Sequence, residues 1–192
     1  AHLRQMQALE LIPDIAAEFG AVTGRERDGL ISPYRLDDAE IAVVALGSVL
    51  GTLQDTVDEL RDAGIRAGVL GITSFRPFPL DAVREALSGI DRVIVLEKSL
   101  AVGIGGIVSS NVRTALADLP IHTTTVIAGL GGRPILTSSL ATMIRQGLAG
   151  DLAPLTFLDL KTELIERELQ RTREHRRSGP AAENILRDVA GV

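Results

Sequence analysis

Four times between residues 41 and 148 a short apolar run is followed by a turn and then by a segment with apolar residues at helical spacing. This alternation constrains the fold more than any other feature of the 192 residues. IAVVAL (41–46) precedes Gly47-Ser48 and TLQDTVDELRDAG (52–64), where Leu53, Val57 and Leu60 recur every three or four positions and Gly64 closes the segment. AGVLGITSF (67–75) leads through RPFP to LDAVREALSG (80–89), with Leu80, Val83 and Leu87 on one face. RVIVLE (92–97) leads through GIGG (103–106) to IVSSNVRTALADL (107–119), and HTTTVIA (122–128) through GLGGRPI (129–135) to LTSSLATMIRQGL (136–148). Such a series predicts a mostly parallel sheet with helices on both faces, joined by right-handed crossovers, and a core containing Val43, Val44, Val69, Ile94, Val95 and Val126.

The flanks are less regular. GLISPYRL (29–36) reads as a further strand, which Pro33 confines to an edge or an end because proline has no N–H for a ladder. The first twenty residues, AHLRQMQALELIPDIAAEFG, read as a helix that Pro13 kinks or restarts. PLTFLDL (154–160) is a short strand or a loop. TELIERELQRTREHRR (162–177) is a helix with Leu164, Ile165 and Leu169 on one stripe, broken at Ser178-Gly179-Pro180. No internal repeat and no low-complexity segment accompanies the alternation.

Several functions are disfavoured by what the chain contains. Its net charge is −5 with basic residues spread along it except for one late cluster, which argues against a nucleic-acid surface. It has no cysteine, and so no thiolate for a disulfide, a structural zinc or an iron–sulfur cluster. His2, His122 and His175 are too scattered to suggest a metal site by spacing. The apolar runs are strand-sized, not membrane spans, and the first residues lack the pattern of a signal peptide. The expectation is a cytoplasmic protein.

In an open parallel sheet the ligand crevice lies outside the carboxyl ends of the strands. Those ends carry Ser48, Arg76, Lys98, the glycines Gly103, Gly105 and Gly106, the glycines Gly129, Gly131 and Gly132, and Arg133. These are the candidate substrate or interface residues; none is assigned to catalysis or to a metal. GIGGI is a weak phosphate signal, since the dinucleotide fingerprint needs GxGxxG directly after the first strand, and the first strand here is followed by GSVLG. Arg76 and Arg133 each stand just before a proline and could clasp an anion with a planar guanidinium or form an inter-domain salt bridge. Glu97 and Lys98 are adjacent in a strand, so their side chains point to opposite faces and do not form an acid–base pair on one atom. Asp37, Asp38, Asp58 and Glu59 read as cap or surface charges, and His122 as structural.

GLISPYRLDDAEIAVVALGSVLGT, GITSFRPFP, VLEKSLAVGIGG and AGLGGRPI, in that order, resemble the C-terminal half of the alpha subunit of pyruvate:ferredoxin oxidoreductase and related 2-oxoacid:ferredoxin oxidoreductases. The resemblance runs from about Ala17 to at least Leu148. It implies a three-layer α/β/α domain of the transketolase C-terminal type, with a mixed, mostly parallel five-stranded sheet whose first strand opposes the rest. It divides the chain into a helical connection at 1–28, the α/β domain at 29–150 and a helical extension at 151–192. The implied enzyme decarboxylates a 2-oxoacid, pyruvate first and a branched-chain acid close behind. It uses thiamine diphosphate with magnesium, iron–sulfur clusters, ferredoxin and coenzyme A. A GDG-x-N-type diphosphate motif is missing, as are cysteines. The resemblance therefore implies that this chain binds none of these cofactors alone and is inactive alone. Its implied partners are the other domain of the alpha subunit, the beta-, gamma- and delta-type subunits, and ferredoxin through them, with no nucleic acid and no membrane. A stand-alone flavodoxin-like or nucleotide-binding module, using GIGG and GLGG for a phosphate, is the competing reading. A purely structural domain of a transketolase-like enzyme is a third.

Overall fold

A computed structural model describes residues 1–25 and 29–174. Residues Ala1–Leu158 form one compact unit and the chain from Asp159 onward a second. The first unit opens with α1 (His2–Thr23), continues through β1 (Ile31–Tyr34), β2 (Ile41–Ala45), α2 (Val49–Asp62), β3 (Ala67–Ile72), α3 (Leu80–Leu87), β4 (Arg92–Glu97), α4 (Ile107–Ala115), β5 (His122–Ile127) and α5 (Thr137–Ala149), and ends in β6 (Leu155–Phe157). The second unit contains α6 (Thr162–Glu174). Leu164 on it is half-buried, and Ile165 and Leu169 are exposed. The expected break at Ser178-Gly179-Pro180, and His175, lie outside the described residues.

The sheet order is β1-β3-β2-β4-β5-β6. Strands β2 to β6 are parallel to their neighbours, and β1 runs antiparallel to β3, with Pro33 opposite Leu70. Pro33 sits on an edge strand, where its missing N–H removes no bond needed by a neighbour on the open side. The fold class stands as read, with one strand more than the expected five. Leu155–Phe157 of the PLTFLDL segment pairs with β5 from Thr125 to Ile127, because the residues after α5 return the chain to the free edge of β5.

Every residue of β2 and β3 is buried, as strands covered on both faces require. Alternation sends Ile41, Val43, Val69, Ile94 and Val126 to one face, under Leu53, Val57 and Leu60 of α2 and Leu140 and Ile144 of α5. Val44, Leu70, Val93 and Val95 go to the other, under Val83 and Leu87 of α3 and Val112 of α4. The six valines and isoleucines predicted for the core are all buried. The crossings β2–β3, β3–β4 and β4–β5 share one hand. The step from β5 to β6 has the opposite hand, because α5 packs beside α2 over β2 and β4 instead of following α3 and α4. One helix cannot cover that broad apolar face, and α5 completes the layer.

Pro13 does not break α1, which is continuous from His2 to Thr23. A single proline removes one intrahelical bond, and its ring is accommodated beside Gly29, where a Cβ would come within 3.1 Å of the Pro13 Cα. No residue of α1 is fully buried, and Leu3, Met6, Leu11, Ile15, Phe19 and Val22 are exposed.

Candidate functional site

The carboxyl ends of β3, β2, β4 and β5 lie in that order along one edge of the sheet, so residues that follow them stand side by side at roughly 5 Å per strand. Ser48 follows β2 and opens α2; its side chain is exposed and makes no capping bond. Arg76 follows β3. Its guanidinium lies over the Phe75 ring, 4.0 Å from the centroid, and its Nη1 donates to the Phe75 carbonyl at 2.6 Å. The RPFP turn is held by Ser74 Oγ, which donates to the Pro77 carbonyl at 3.0 Å, and by an edge-to-face contact between Phe75 and Phe78. Arg76 is thus exposed but tethered to its own backbone.

Lys98 and the loop after β5 meet. The Lys98 Cε lies 3.2 Å from where a Cβ on Gly129 would stand, and the Ile135 side chain is at 3.1 Å from the same point. Gly129, Gly131 and Gly132 all have positive φ (66°, 68° and 76°), which glycine adopts without strain. They wind a 3-10 turn over Leu130–Gly132 and return the chain to an extended Arg133 at φ −66°, ψ 141°. Arg133 is exposed and, among the described residues, makes no hydrogen bond or ion pair. Lys98 is likewise exposed and unpaired. The edge therefore offers two unengaged cations, Lys98 and Arg133, on neighbouring strand ends, with tethered Arg76 two strands beyond Lys98.

GIGG is built differently. Gly103 and Gly105 have φ +85° and +88°, and a bridge between Ala101 and Gly105 closes the turn. Gly106 is buried at the start of α4, and the first turn of that helix is already filled. The Glu97 carboxylate, 3% exposed, accepts the Val108 N–H at 3.2 Å, the Ser109 N–H at 2.7 Å and the Ser109 hydroxyl at 2.6 Å. A phosphate reading of GIGG needs those amide donors free, and they are occupied by the chain's own anion. Sequence reasoning set Glu97 aside as half of a rejected acid–base pair. The signal that could have found it was an acidic residue at a strand end, opposite a helix start with no local Ser, Thr, Asp or Asn cap.

The charges read as surface features are partly engaged. Asp58 accepts the Tyr34 hydroxyl at 2.7 Å and pairs with Arg35 at 2.6 Å. Arg61 reaches the carbonyls of Ala67 and Arg35 and pairs with Asp38, whose carboxyl the Arg61 hydrogen bond holds below the usual aspartate range. His122 is exposed at the start of β5. A cleft of about 720 Å³ opens at the opposite, amino ends of the strands, lined by Asp37, Asp38, Glu40, Arg66, Glu85 and Asp91 among others. Arg66 there is paired with Glu40. Its acidic lining suits neither an anionic substrate nor a phosphate, and the strand-end edge is the better site. Among the described residues no group of three His, Cys, Asp or Glu could hold a metal ion.

Comparison with known proteins bears on the family of the chain. The family model described as pyruvate:ferredoxin oxidoreductase core domain II matches residues 39–140. Pyruvate synthase subunit PorA of Methanosarcina barkeri is 38% identical over 172 residues, covering 85% of this chain and 43% of that protein. PorA of Thermotoga maritima is 35% identical over 155 residues, covering 78% of this chain and 39% of that protein. The chain thus spans well under half the length of these curated relatives. Among solved structures, a 2-oxoglutarate:ferredoxin oxidoreductase from Magnetococcus marinus superposes with a TM-score of 0.52 at 16% identity, over 67% of this chain and 21% of that one, a likeness of fold.

Proposed function

This chain belongs to the pyruvate:ferredoxin oxidoreductase core domain II family, and from that premise we propose that it is the C-terminal half of an alpha subunit of a thiamine diphosphate-dependent 2-oxoacid:ferredoxin oxidoreductase, with pyruvate as its first substrate. The observation that carries the reading is the 38% identity over 172 residues with a pyruvate synthase subunit. In this reading the complete enzyme oxidatively decarboxylates the 2-oxoacid, coenzyme A takes the acyl group and ferredoxin takes the electrons.

The residues of this chain do not fit the cofactors of that reaction. Iron–sulfur clusters need thiolates, and there is no cysteine. A diphosphate with its magnesium needs free backbone donors and a carboxylate set, whereas the donors at α4 are taken by Glu97. Those groups belong to the other domain of the alpha subunit and to beta-, gamma- and delta-type subunits. The role left to this domain is assembly and shaping of the cleft. Residues 1–28 serve as the helical connection to that other domain, and the exposed apolar side chains of α1 support this, since they need a surface to cover them. Residues 29–150 are the α/β body and 151–192 a C-terminal extension. At the strand-end edge Lys98 and Arg133 supply positive charge toward an anionic substrate or a partner's carboxylate, and the loops bearing Ser48, Arg76, Gly103, Gly105, Gly106, Gly129, Gly131 and Gly132 give the edge its shape. No helix among the described residues is long and apolar enough to cross a membrane, and we place the enzyme in the cytoplasm.

Reconstitution tests the reading. The purified chain should neither decarboxylate pyruvate nor bind thiamine diphosphate at micromolar concentration in calorimetry. With the remaining alpha segment and the partner subunits it should support coenzyme A-dependent ferredoxin reduction. Turnover by the chain alone would overturn the proposal.

A further inference from the structure

Glycine at position 106 is not required by the backbone, whose φ −87° and ψ 147° any residue adopts. It is required by space. A Cβ on Gly106 would stand 1.7 Å from Glu97 Oε1, 2.3 Å from the Glu97 carboxyl carbon and 2.7 Å from Ser109 Oγ. The carboxylate that occupies this space has no counter-cation among the described residues. It is held by three hydrogen bonds and by the positive end of α4. An N-cap is ordinarily supplied by the residue that starts the helix, but here it comes from the last residue of β4, across the whole intervening turn.

The consequence is mechanical. Glu97 ties the end of β4 to the start of α4, so the segment Lys98–Gly105 is pinned at both ends. Inside it Ala101 N–H donates to the Gly105 carbonyl at 2.8 Å, while Gly105 N–H and Ile104 N–H both donate to the Ala101 carbonyl, at 2.8 and 3.0 Å. This closed turn holds Val102 and Ile104 in solvent, 94% and 71% exposed. The two aliphatic side chains are thus presented at the strand-end edge and not to the domain's core.

We propose that Glu97 is a positioning residue of the enzyme: its buried carboxylate, received by the space left at Gly106, fixes the Lys98–Gly105 turn as a rigid lip of the active-site cleft and sets where Lys98, Val102 and Ile104 stand. The proposal rests on the functional reading above and concerns the same edge.

The test uses the reconstituted complete enzyme and the variants Ser109→Ala, Glu97→Gln, Glu97→Ala, Gly106→Ala and Glu97→Ala/Gly106→Ala. Ser109→Ala is the mild member, since it removes one of three donors and leaves the fold intact. Amide exchange at Ala101, Ile104 and Gly105 should quicken about three- to tenfold in Ser109→Ala, the size expected for one lost hydrogen bond. The Michaelis constant for the 2-oxoacid or coenzyme A should rise with it while kcat changes less. Glu97→Gln, which keeps one acceptor, should retain more than Glu97→Ala. Gly106→Ala should behave like the loss of Glu97, and the double variant should be little worse than Glu97→Ala, because once the carboxylate is gone the added methyl meets only Ser109 Oγ, at 2.7 Å, the end of a side chain that can rotate away.

A loosened turn with unchanged Michaelis constants would overturn the positioning role. A full additional defect from Gly106→Ala on the Glu97→Ala background would overturn the receptor role of the glycine. If the unsubstituted complex turns over no 2-oxoacid, the functional reading fails. The exchange rates and the double-variant comparison still decide for or against the clamp.

Discussion

Val95 and Val102 are the same residue type, seven positions apart in sequence, and the structure assigns them opposite energetic weight. Val95 lies in β4 with no exposed surface, among Val44, Val93 and Val112 under α3 and α4, whereas Val102 is 94% exposed on the turn. Val95→Ala removes two methyl-sized groups at about 0.8 kcal/mol each, and the residual cavity raises the total to about 2–3 kcal/mol. For a chain of this size that is a loss of about 4–12 °C in Tm. Val102→Ala should stay within about 0.5 kcal/mol. Urea unfolding followed by far-ultraviolet circular dichroism is the suitable assay, since the chain has one tyrosine and no tryptophan. The slope m should match between variants, so that the midpoint alone carries the difference. Equal midpoints for the two variants, or a Val95→Ala loss under about 0.5 kcal/mol, would refute the assignment of β4 to a doubly covered central position.

Three further outcomes follow from named contacts. Arg61→Ala should destabilise the domain by about 1–3 kcal/mol, because it strands the buried Ala67 carbonyl as well as the Arg35 carbonyl, and Arg61→Lys should recover part of the loss; urea midpoints measure both. The Asp38 carboxyl, held low chiefly by its Arg61 hydrogen bond, should titrate below a free aspartate by NMR and return toward it in Arg61→Ala. Its depressed folded value means that its contribution is present above the unfolded value and lost as pH falls through the folded one. In the complete enzyme Arg133→Ala should lower 2-oxoacid or coenzyme A turnover while leaving the Tm of this domain nearly unchanged, and Arg133→Lys should rescue only part, since an ammonium lacks the planar fork. Intact subunit association with a raised Michaelis constant supports a substrate role, whereas impaired association with normal kinetics would assign Arg133 to an interface.

The sheet was legible because its signals are local and redundant. Apolar runs at 41–45 and 93–96 with helical periodicity between them admit few arrangements, and Pro33 confines β1 to an edge or an end. The sixth strand was ambiguous because three residues carry too little pattern to separate strand from loop. The opposite hand of the last crossing leaves no local trace, since it follows from which sheet face still lacked a helix. Pro13 lies inside one continuous helix instead of restarting it, because the local cost of a single proline can be absorbed within a long helix. Side-chain partnerships between distant residues were invisible: at the site Glu97 accepts the Val108 and Ser109 N–H groups, and away from it Arg113 Nη2 donates to Thr125 Oγ1 at 2.8 Å and Arg84 bonds the Ala115 and Ala117 carbonyls near the end of α4. Nothing in the composition of those segments announces either arginine contact.

The two glycine loops show why a count of glycines is a poor guide to anion binding. Both GIGG and GLGG follow a strand of one parallel sheet and precede a helix, and as patterns they are nearly interchangeable. A phosphate cradle, however, is defined by unsatisfied donors. In GIGG the donors of α4 are consumed by Glu97, and the glycine nearest to them makes room for that carboxylate. In GLGG the glycines serve left-handed backbone, with Gly129 against Lys98, and lead to an extended Arg133 that is unpaired among the described residues. Charge at this edge is therefore carried by flexible side chains and not by fixed amides. An edge of that kind tolerates a carboxylate, a phosphate or an acidic partner surface with little geometric discrimination. On the proposed function, specificity for one 2-oxoacid over another has to come from what faces this edge in the complete enzyme, and the turn tied down by Glu97 is the part of this domain proposed to meet it.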